Sequence, residues 1–168
     1  MAPSDLTILV CAFNEEAAIS STLDDLKAHV PTGCEILVID GGSDRTGEIV
    51  RSLEPSMPGL RHVAHTDDRG KGHAVRTGIA LAKGRFLVQF DADGQFLASD
   101  IPAMLARWRE VQAAHPDSPV LIAGWRAKRR DTWVRRLSSR IANGLIAEGV
   151  GSQDRVAFLD KNSAAFFE

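Results

Sequence analysis

The chain has 168 residues, 44% of them hydrophobic and 25% charged, with a net charge of −2. These values fit one soluble globular domain over residues 1–168 and exclude a disordered segment or a fibre. The longest apolar run, residues 8–13, is six residues long, against the roughly 20 needed to cross a bilayer. No charged stretch leads into an apolar one at the N-terminus as in a secretory signal. A cytoplasmic protein is therefore expected. The two cysteines, Cys11 and Cys34, match neither zinc spacing nor a disulfide scaffold and are read as small core residues.

Strand and helix signals alternate from the start. Residues 6–11 (LTILVC) are a short apolar run rich in β-branched side chains, the mark of a buried strand. Asn14 is expected to cap a helix with Ile19, Leu23, Leu26 and Val30 at helical spacing, which Pro31 ends. A second buried strand, 35–39, closes on Asp40-Gly41-Gly42-Ser43. A helix over 46–53, a loop with Pro55 and Pro58, and a weaker strand over 60–65 follow. Gly70-Lys71-Gly72 opens a helix carrying Val75, Ile79 and Leu81 that ends by Gly84. The fourth strand, 85–90, runs into Asp91-Ala92-Asp93-Gly94-Gln95. Asp100 is the expected cap of a helix with Ile101, Met104, Leu105, Trp108 and Val111 on one face. A fifth strand is predicted over 120–123 and a helix over 132–147. Near-continuous apolar strands separated by helices predict an α/β fold, with a mostly parallel central sheet covered by helices on both faces.

Charge is unevenly distributed. Arg126, Lys128, Arg129, Arg130, Arg135, Arg136 and Arg140 lie within fifteen residues that hold one acid, Asp131. That segment is +6 and the rest of the chain −8. It is either a solvated helix face or a docking surface for phosphate or an anionic membrane. No nucleic-acid partner is expected.

Asp91 and Asp93 carry the clearest chemistry. Residues i and i+2 of an extended segment point to the same side, so the two carboxylates are expected to converge past a strand's carboxyl end, the edge where open α/β sheets bind ligands. Adjacent carboxylates repel unless a cation neutralises them. Mg²⁺ and Mn²⁺ accept one or two protein carboxylates and take their remaining oxygens from water and substrate phosphates. A metal-bound diphosphate is thus the expected ligand, with a polar turn as the plainer reading. Asp40 ends the second strand at the same edge, where a carboxylate can accept from a ribose diol or a base N–H, or simply serve the turn before Gly41-Gly42. No Gly-x-Gly-x-x-Gly follows the first strand, and Gly70-Lys71 lacks the rest of a P-loop, with His65 where glycine is needed. The pair can still present N–H groups and Lys71 to a phosphate at a helix N-terminus.

Five strings occur in order: VCAFNE (10–15), VIDGGSDRT (38–46), GKG (70–72), FDADGQ (90–95) and GWR (124–126). Together, over about residues 5–167, the chain resembles family-2 inverting glycosyltransferases of the GT-A fold. Nearest among these are the dolichyl- and polyprenyl-phosphate mannosyl- and glucosyltransferases. The resemblance implies that Phe13, Glu15 and Asp40 contact the nucleoside, and that Lys71 serves the nucleotide sugar. It implies that Asp91, Asp93 and Gln95 hold Mg²⁺ or Mn²⁺ on the sugar-nucleotide diphosphate, with Asp93 and Arg126 catalytic. Arg126, Arg135 and Ser139 would grip the phosphate of the lipid acceptor. Arg135 and Ser139 are also i and i+4 on one helix face beside the apolar stripe Val134, Leu137, Ile141 and Leu145. Cys11 and Ala12 depart from the proline and threonine usual in the family's first motif, and Trp125 stands where a small residue is usual.

The reaction implied is transfer of a hexose from GDP-mannose or UDP-glucose to a polyprenyl phosphate, on a protein peripheral to the cytoplasmic membrane face. A phosphate monoester is anionic at pH 7 and needs cations more than a base, whereas a hydroxyl acceptor needs a carboxylate such as Asp154 or Asp160. Two other readings remain: a family-2 enzyme with a hydroxyl acceptor, and an inert peripheral-membrane module that binds lipid through the basic helix.

Overall fold

The computed structural model describes residue 2 and residues 5–67, 70–116, 120–123, 157–160 and 163–166. The chain divides into two compact units, Met1–Val120 and Leu121–Glu168. In the first, β1 (Leu6–Ala12), α1 (Ile19–His29), β2 (Glu35–Asp40), α2 (Thr46–Leu53), β3 (Leu60–Ala64), α3 (Lys71–Leu81), β4 (Phe86–Asp91) and α4 (Ile101–Ala114) alternate as expected. The four strands form one wholly parallel sheet in the order β3-β2-β1-β4.

Strand alternation sorts the core into two layers. Leu6, Ile8 and Val10 of β1, with Ile36 and Val38 of β2, meet Ile19, Leu23 and Leu26 of α1, Val50 of α2 and Leu105 of α4. The opposite residues, Leu9, Leu37 and Ile39, pack under Ala74 of α3. Each fully buried Leu or Ile contributes about 1.5–3 kcal/mol, so β1 and β2, apolar on both faces, form the rigid centre.

At the amino end of the sheet a buried ionic network ties three strands together. Glu35 Oε2 accepts from the Thr7 hydroxyl at 2.7 Å and the Lys83 N–H at 2.8 Å. Its Oε1 accepts from Arg61 Nε and Nη2 at 3.1 and 2.8 Å. Burial pushes the Glu35 carboxyl up, but the hydrogen bonds from Lys83, Thr7 and Arg61 outweigh it and hold the group below its ordinary value.

Several local expectations are corrected. Asn14 caps nothing: its side chain accepts from the Ser43 N–H at 2.8 Å, its φ is 55°, and α1 begins five residues later at Ile19. Asp100 occupies the N-cap position of α4 without a side-chain capping bond. Cys34 is buried, which pushes its thiol pKa up, but Cys11 is only partly buried. Residues 120–123 form no strand, and Leu121 is 69% exposed, so an apolar run alone did not secure a sheet position. In the second unit, β5 (Ala157–Asp160) and β6 (Ser163–Phe166) form an antiparallel pair that the sequence did not announce. Both strands are four residues long, too short for a periodic signal. The predicted helix over 132–147 and the basic segment lie outside the described residues.

Candidate active site

The sheet register brings two acidic residues to one edge. Asp40 is paired with Ala12 and Asp91 with Cys11, so the carboxyl ends of β2 and β4 flank that of β1. With neighbouring strands about 4.8 Å apart, the two aspartates stand roughly 10 Å from each other across β1.

The loops leaving β1 and β2 are sewn together at this edge. The Thr46 hydroxyl accepts from the Glu15 N–H at 2.9 Å, Asp44 Oδ2 from the Glu16 N–H at 3.0 Å, and Glu16 Oε2 from the Arg45 N–H at 3.1 Å. Gly42 is required here, because a Cβ would lie 2.6 Å from the Asn14 nitrogen and 2.8 Å from its Oδ1. Desolvation raises the Asp44 carboxyl, yet hydrogen bonds from Thr46 and Glu16 leave it below its ordinary value. These bonds hold Glu15, half-buried, and Phe13, 57% exposed, beside the end of β1. Asp40 is itself buried, with Oδ1 accepting from the Gly42 N–H at 3.0 Å.

Across β1, Lys71 opens α3 and reaches the buried carboxylate of Asp91. Its Nζ lies 2.7 Å from Oδ1 and 2.9 Å from Oδ2. The hydrogen bond is directed to Oδ2, while the buried Oδ1 accepts none from any described residue despite the shorter contact. Asp91 is the last residue of β4 and Asp93 lies in the turn beyond it, so alternation alone does not align them. The turn is set from outside: the Thr22 hydroxyl of α1 donates to the Ala92 carbonyl at 3.1 Å, and Asp25 Oδ2 accepts from the Ala98 N–H at 2.9 Å. Asp93 Oδ1 accepts from the Gln95 N–H at 3.0 Å, Gly94 takes φ 70°, and Gln95 is exposed. A cavity of about 170 Å³ lies between α1 and this turn, bordered by Thr22, Asp25, Phe90 and Phe96.

Among the described residues no group of three or more His, Cys, Asp or Glu side chains could hold a metal by itself. The donor set nevertheless fits Mg²⁺ or Mn²⁺, which keep several waters and need only one or two carboxylates plus substrate phosphate. Asp91 Oδ1 is a hard carboxylate oxygen of the type such ions prefer, and Lys71 Nζ lies 2.7 Å from it.

The structure thus gathers Phe13, Glu15, Asp40, Lys71, Asp91, Asp93 and Gln95 at the carboxyl edge of one sheet. Arg126, Arg135 and Ser139, with Trp125 and Asp154, lie outside the described residues, and Asp160 ends β5 in the second unit. The Lys71–Asp91 pair, Thr22 and Asp25 were not singled out from the sequence, where only a helix-start lysine and unremarkable polar positions on α1 were visible.

Parallel sheet, helical cover and site edge together are the GT-A arrangement. The chain matches the family described as Glycosyl transferase family 2 over residues 7–160, and it belongs to that family. It is 34% identical over 152 residues to the undecaprenyl-phosphate 4-deoxy-4-formamido-L-arabinose transferase of Edwardsiella ictaluri, covering 87% of this chain and 44% of that protein. It is 35% identical over 100 residues to the dolichyl-phosphate β-glucosyltransferase of Dictyostelium discoideum, covering 53% of this chain and 31% of that one. The mannosyltransferase of Pyrobaculum calidifontis, solved in complex with GDP-Man and Mn²⁺, is 32% identical with a TM-score of 0.54, over 62% of this chain and 32% of that one. The chain spans less than half the length of these relatives.

Proposed function

We propose that the chain transfers a hexose from a nucleoside-diphosphate sugar, GDP-mannose or UDP-glucose, to a polyprenyl phosphate, with inversion and with a divalent cation. The observation that carries this reading is the buried Asp91 carboxylate at the end of β4, faced by Lys71 and separated by one strand from the buried Asp40. Each carboxylate has a partner in the fold, Gly42 and His62 for Asp40 and Lys71 for Asp91; a nucleoside on one side and a diphosphate on the other would use both.

Asp40 accepts from the nucleoside, and the exposed ring of Phe13 and the half-buried Glu15 border it. Asp91 and Asp93, with Gln95, would hold Mg²⁺ or Mn²⁺; the cation, when bound, supplies Lewis-acid neutralisation of the charge that grows on the leaving diphosphate. Lys71, whose ammonium lies 2.7 Å from the Asp91 carboxylate, would turn to the diphosphate when the nucleotide enters. A charge-assisted contact of this kind is about twice as strong as a neutral hydrogen bond. Asp93, on the turn beyond β4, would lie beside the transferred sugar. Arg126, Arg135 and Ser139 bind the acceptor phosphate, whose negative charge at pH 7 makes a general base unnecessary. That the relatives are named for undecaprenyl and dolichyl phosphate supports this acceptor. No helix among the described residues is long and apolar enough to cross a membrane; the +6 segment over 126–140 would hold the protein peripherally at the cytoplasmic membrane face, close to such an acceptor.

The test is thermal. GDP or UDP at 100 times its Kd is expected to stabilise the fold by about 2.7 kcal/mol with Mn²⁺ present, and to lose most of that effect in EDTA. Equal stabilisation in EDTA would remove Asp91 and Asp93 from diphosphate binding. No stabilisation by any nucleotide would leave the inert lipid-binding module as the reading.

A further inference from the structure

Asp40, His62 and Arg51, on β2, β3 and α2, line up in a row. Register pairs His62 of β3 with Val38 of β2, so His62 and Asp40 are diagonal neighbours on one sheet face. His62 Nε2 lies 3.1 Å from Asp40 Oδ2, and both side chains are buried, 6% and 8% exposed. On the far side of the ring, Nδ1 lies 3.2 Å from Nη1 of Arg51, on α2. A guanidinium can only donate, so Nδ1 must accept, which leaves the proton on Nε2 and aims it at Asp40. The main chain is pinned as well: the His62 N–H donates to Glu54 Oε1 at 2.9 Å. Space for the pair is made by Gly47, where a Cβ would lie 2.8 Å from both Asp40 Oδ2 and His62 Nε2.

We propose that Arg51 and His62 form a relay that fixes the Nε2–H tautomer of His62 and, through it, the orientation of the Asp40 carboxylate for the nucleoside. His62 is then a positioning residue. The inference rests on the reading of Asp40 as a nucleoside contact. An aspartate χ2 is broad and two-fold; the Gly42 N–H holds one oxygen, and the His62 donor removes the remaining freedom. Each carboxylate oxygen keeps a second lone pair, so Asp40 still accepts from a nucleoside N–H or O–H.

The experiment uses the 168-residue chain with ¹⁵N-labelled histidine, at mildly alkaline pH. Long-range ¹H–¹⁵N correlation is expected to find His62 protonated at Nε2 and bare at Nδ1. Arg51→Met, on the exposed face of α2, should mix the two tautomers and weaken GDP or UDP binding in Mn²⁺ by about three- to tenfold, the loss of one net hydrogen bond. His62→Gln, whose amide can replace the Nε2 donor, should bind more tightly than His62→Leu. A parent protein protonated at Nδ1 overturns the proposal, as does Arg51→Met that leaves tautomer or affinity unchanged. Asp40→Asn separates the two levels. If it weakens nucleotide binding while Arg51→Met does not, the relay alone fails. If Asp40→Asn binds like the parent, the nucleoside assignment fails and the relay's purpose with it.

Discussion

Asp93→Ala is expected to lower sugar transfer by about two to three orders of magnitude, the range for removing one group that stabilises transition-state charge, while leaving the fold intact. The half-buried Asp93 accepts a local hydrogen bond from the Gln95 N–H. It belongs to neither hydrophobic layer. Substitutions at such positions usually change stability by no more than about 0.5 kcal/mol, so the loss falls on chemistry and metal binding. Steady-state turnover with saturating Mn²⁺, read beside a melting curve, checks both halves. Unchanged turnover removes Asp93 from the reacting centre, and a collapsed melting curve makes it a structural residue.

The second large effect lies at the opposite end of the sheet. Glu35→Ala removes the acceptor of the Thr7 hydroxyl, the Lys83 N–H and one side of the Arg61 guanidinium, all of which donate to that carboxylate. Leaving buried donors without their acceptor costs about 1–3 kcal/mol, and Arg61, 32% exposed, keeps its bond to the Leu81 carbonyl. The effect depends on pH with a definite sign. The folded protein holds Glu35 below its ordinary value, so its contribution is complete above the unfolded carboxyl value of about 4.3 and is lost as pH falls through the lower folded value. Denaturant unfolding should therefore show a wide gap between parent and Glu35→Ala at neutral pH and a narrowing one in acid. A gap independent of pH would mean that packing rather than the carboxylate charge carries the effect.

Much of this architecture was legible because burial leaves a direct trace in sequence. Apolar runs such as 6–11 and 35–39 are buried on both faces by helices whose own apolar spacing is regular, so strand, helix and parallel order followed together. The positions of Asp40 and Asp91 at the carboxyl ends of β2 and β4 were also legible, since each acid closes an apolar run, whereas the alignment of Asp93 with Asp91 was not. Illegible were choices made by distant partners. Asn14 has the chemistry of a helix cap, but its oxygen is taken by Ser43, 29 residues away. Lys71 looked like a phosphate ligand at a helix start, and its pairing with Asp91 spans 20 residues. His62 left no signal on a weak strand, because its partner Asp40 becomes a neighbour only through the β2–β3 register. Residues 120–123 make the opposite case: a strand-like run that takes no strand.

The central claim is metal-dependent transfer to a lipid phosphate, and one product assay reads it directly. The chain is incubated with GDP-mannose or UDP-glucose, a short polyprenyl phosphate and Mn²⁺ or Mg²⁺, and the lipid fraction is analysed by mass and anomeric configuration. The account predicts one hexose on the lipid phosphate with inverted configuration, and none in EDTA. Transfer undiminished by EDTA, hexose found only on a hydroxyl acceptor, or no product with metal present would contradict it.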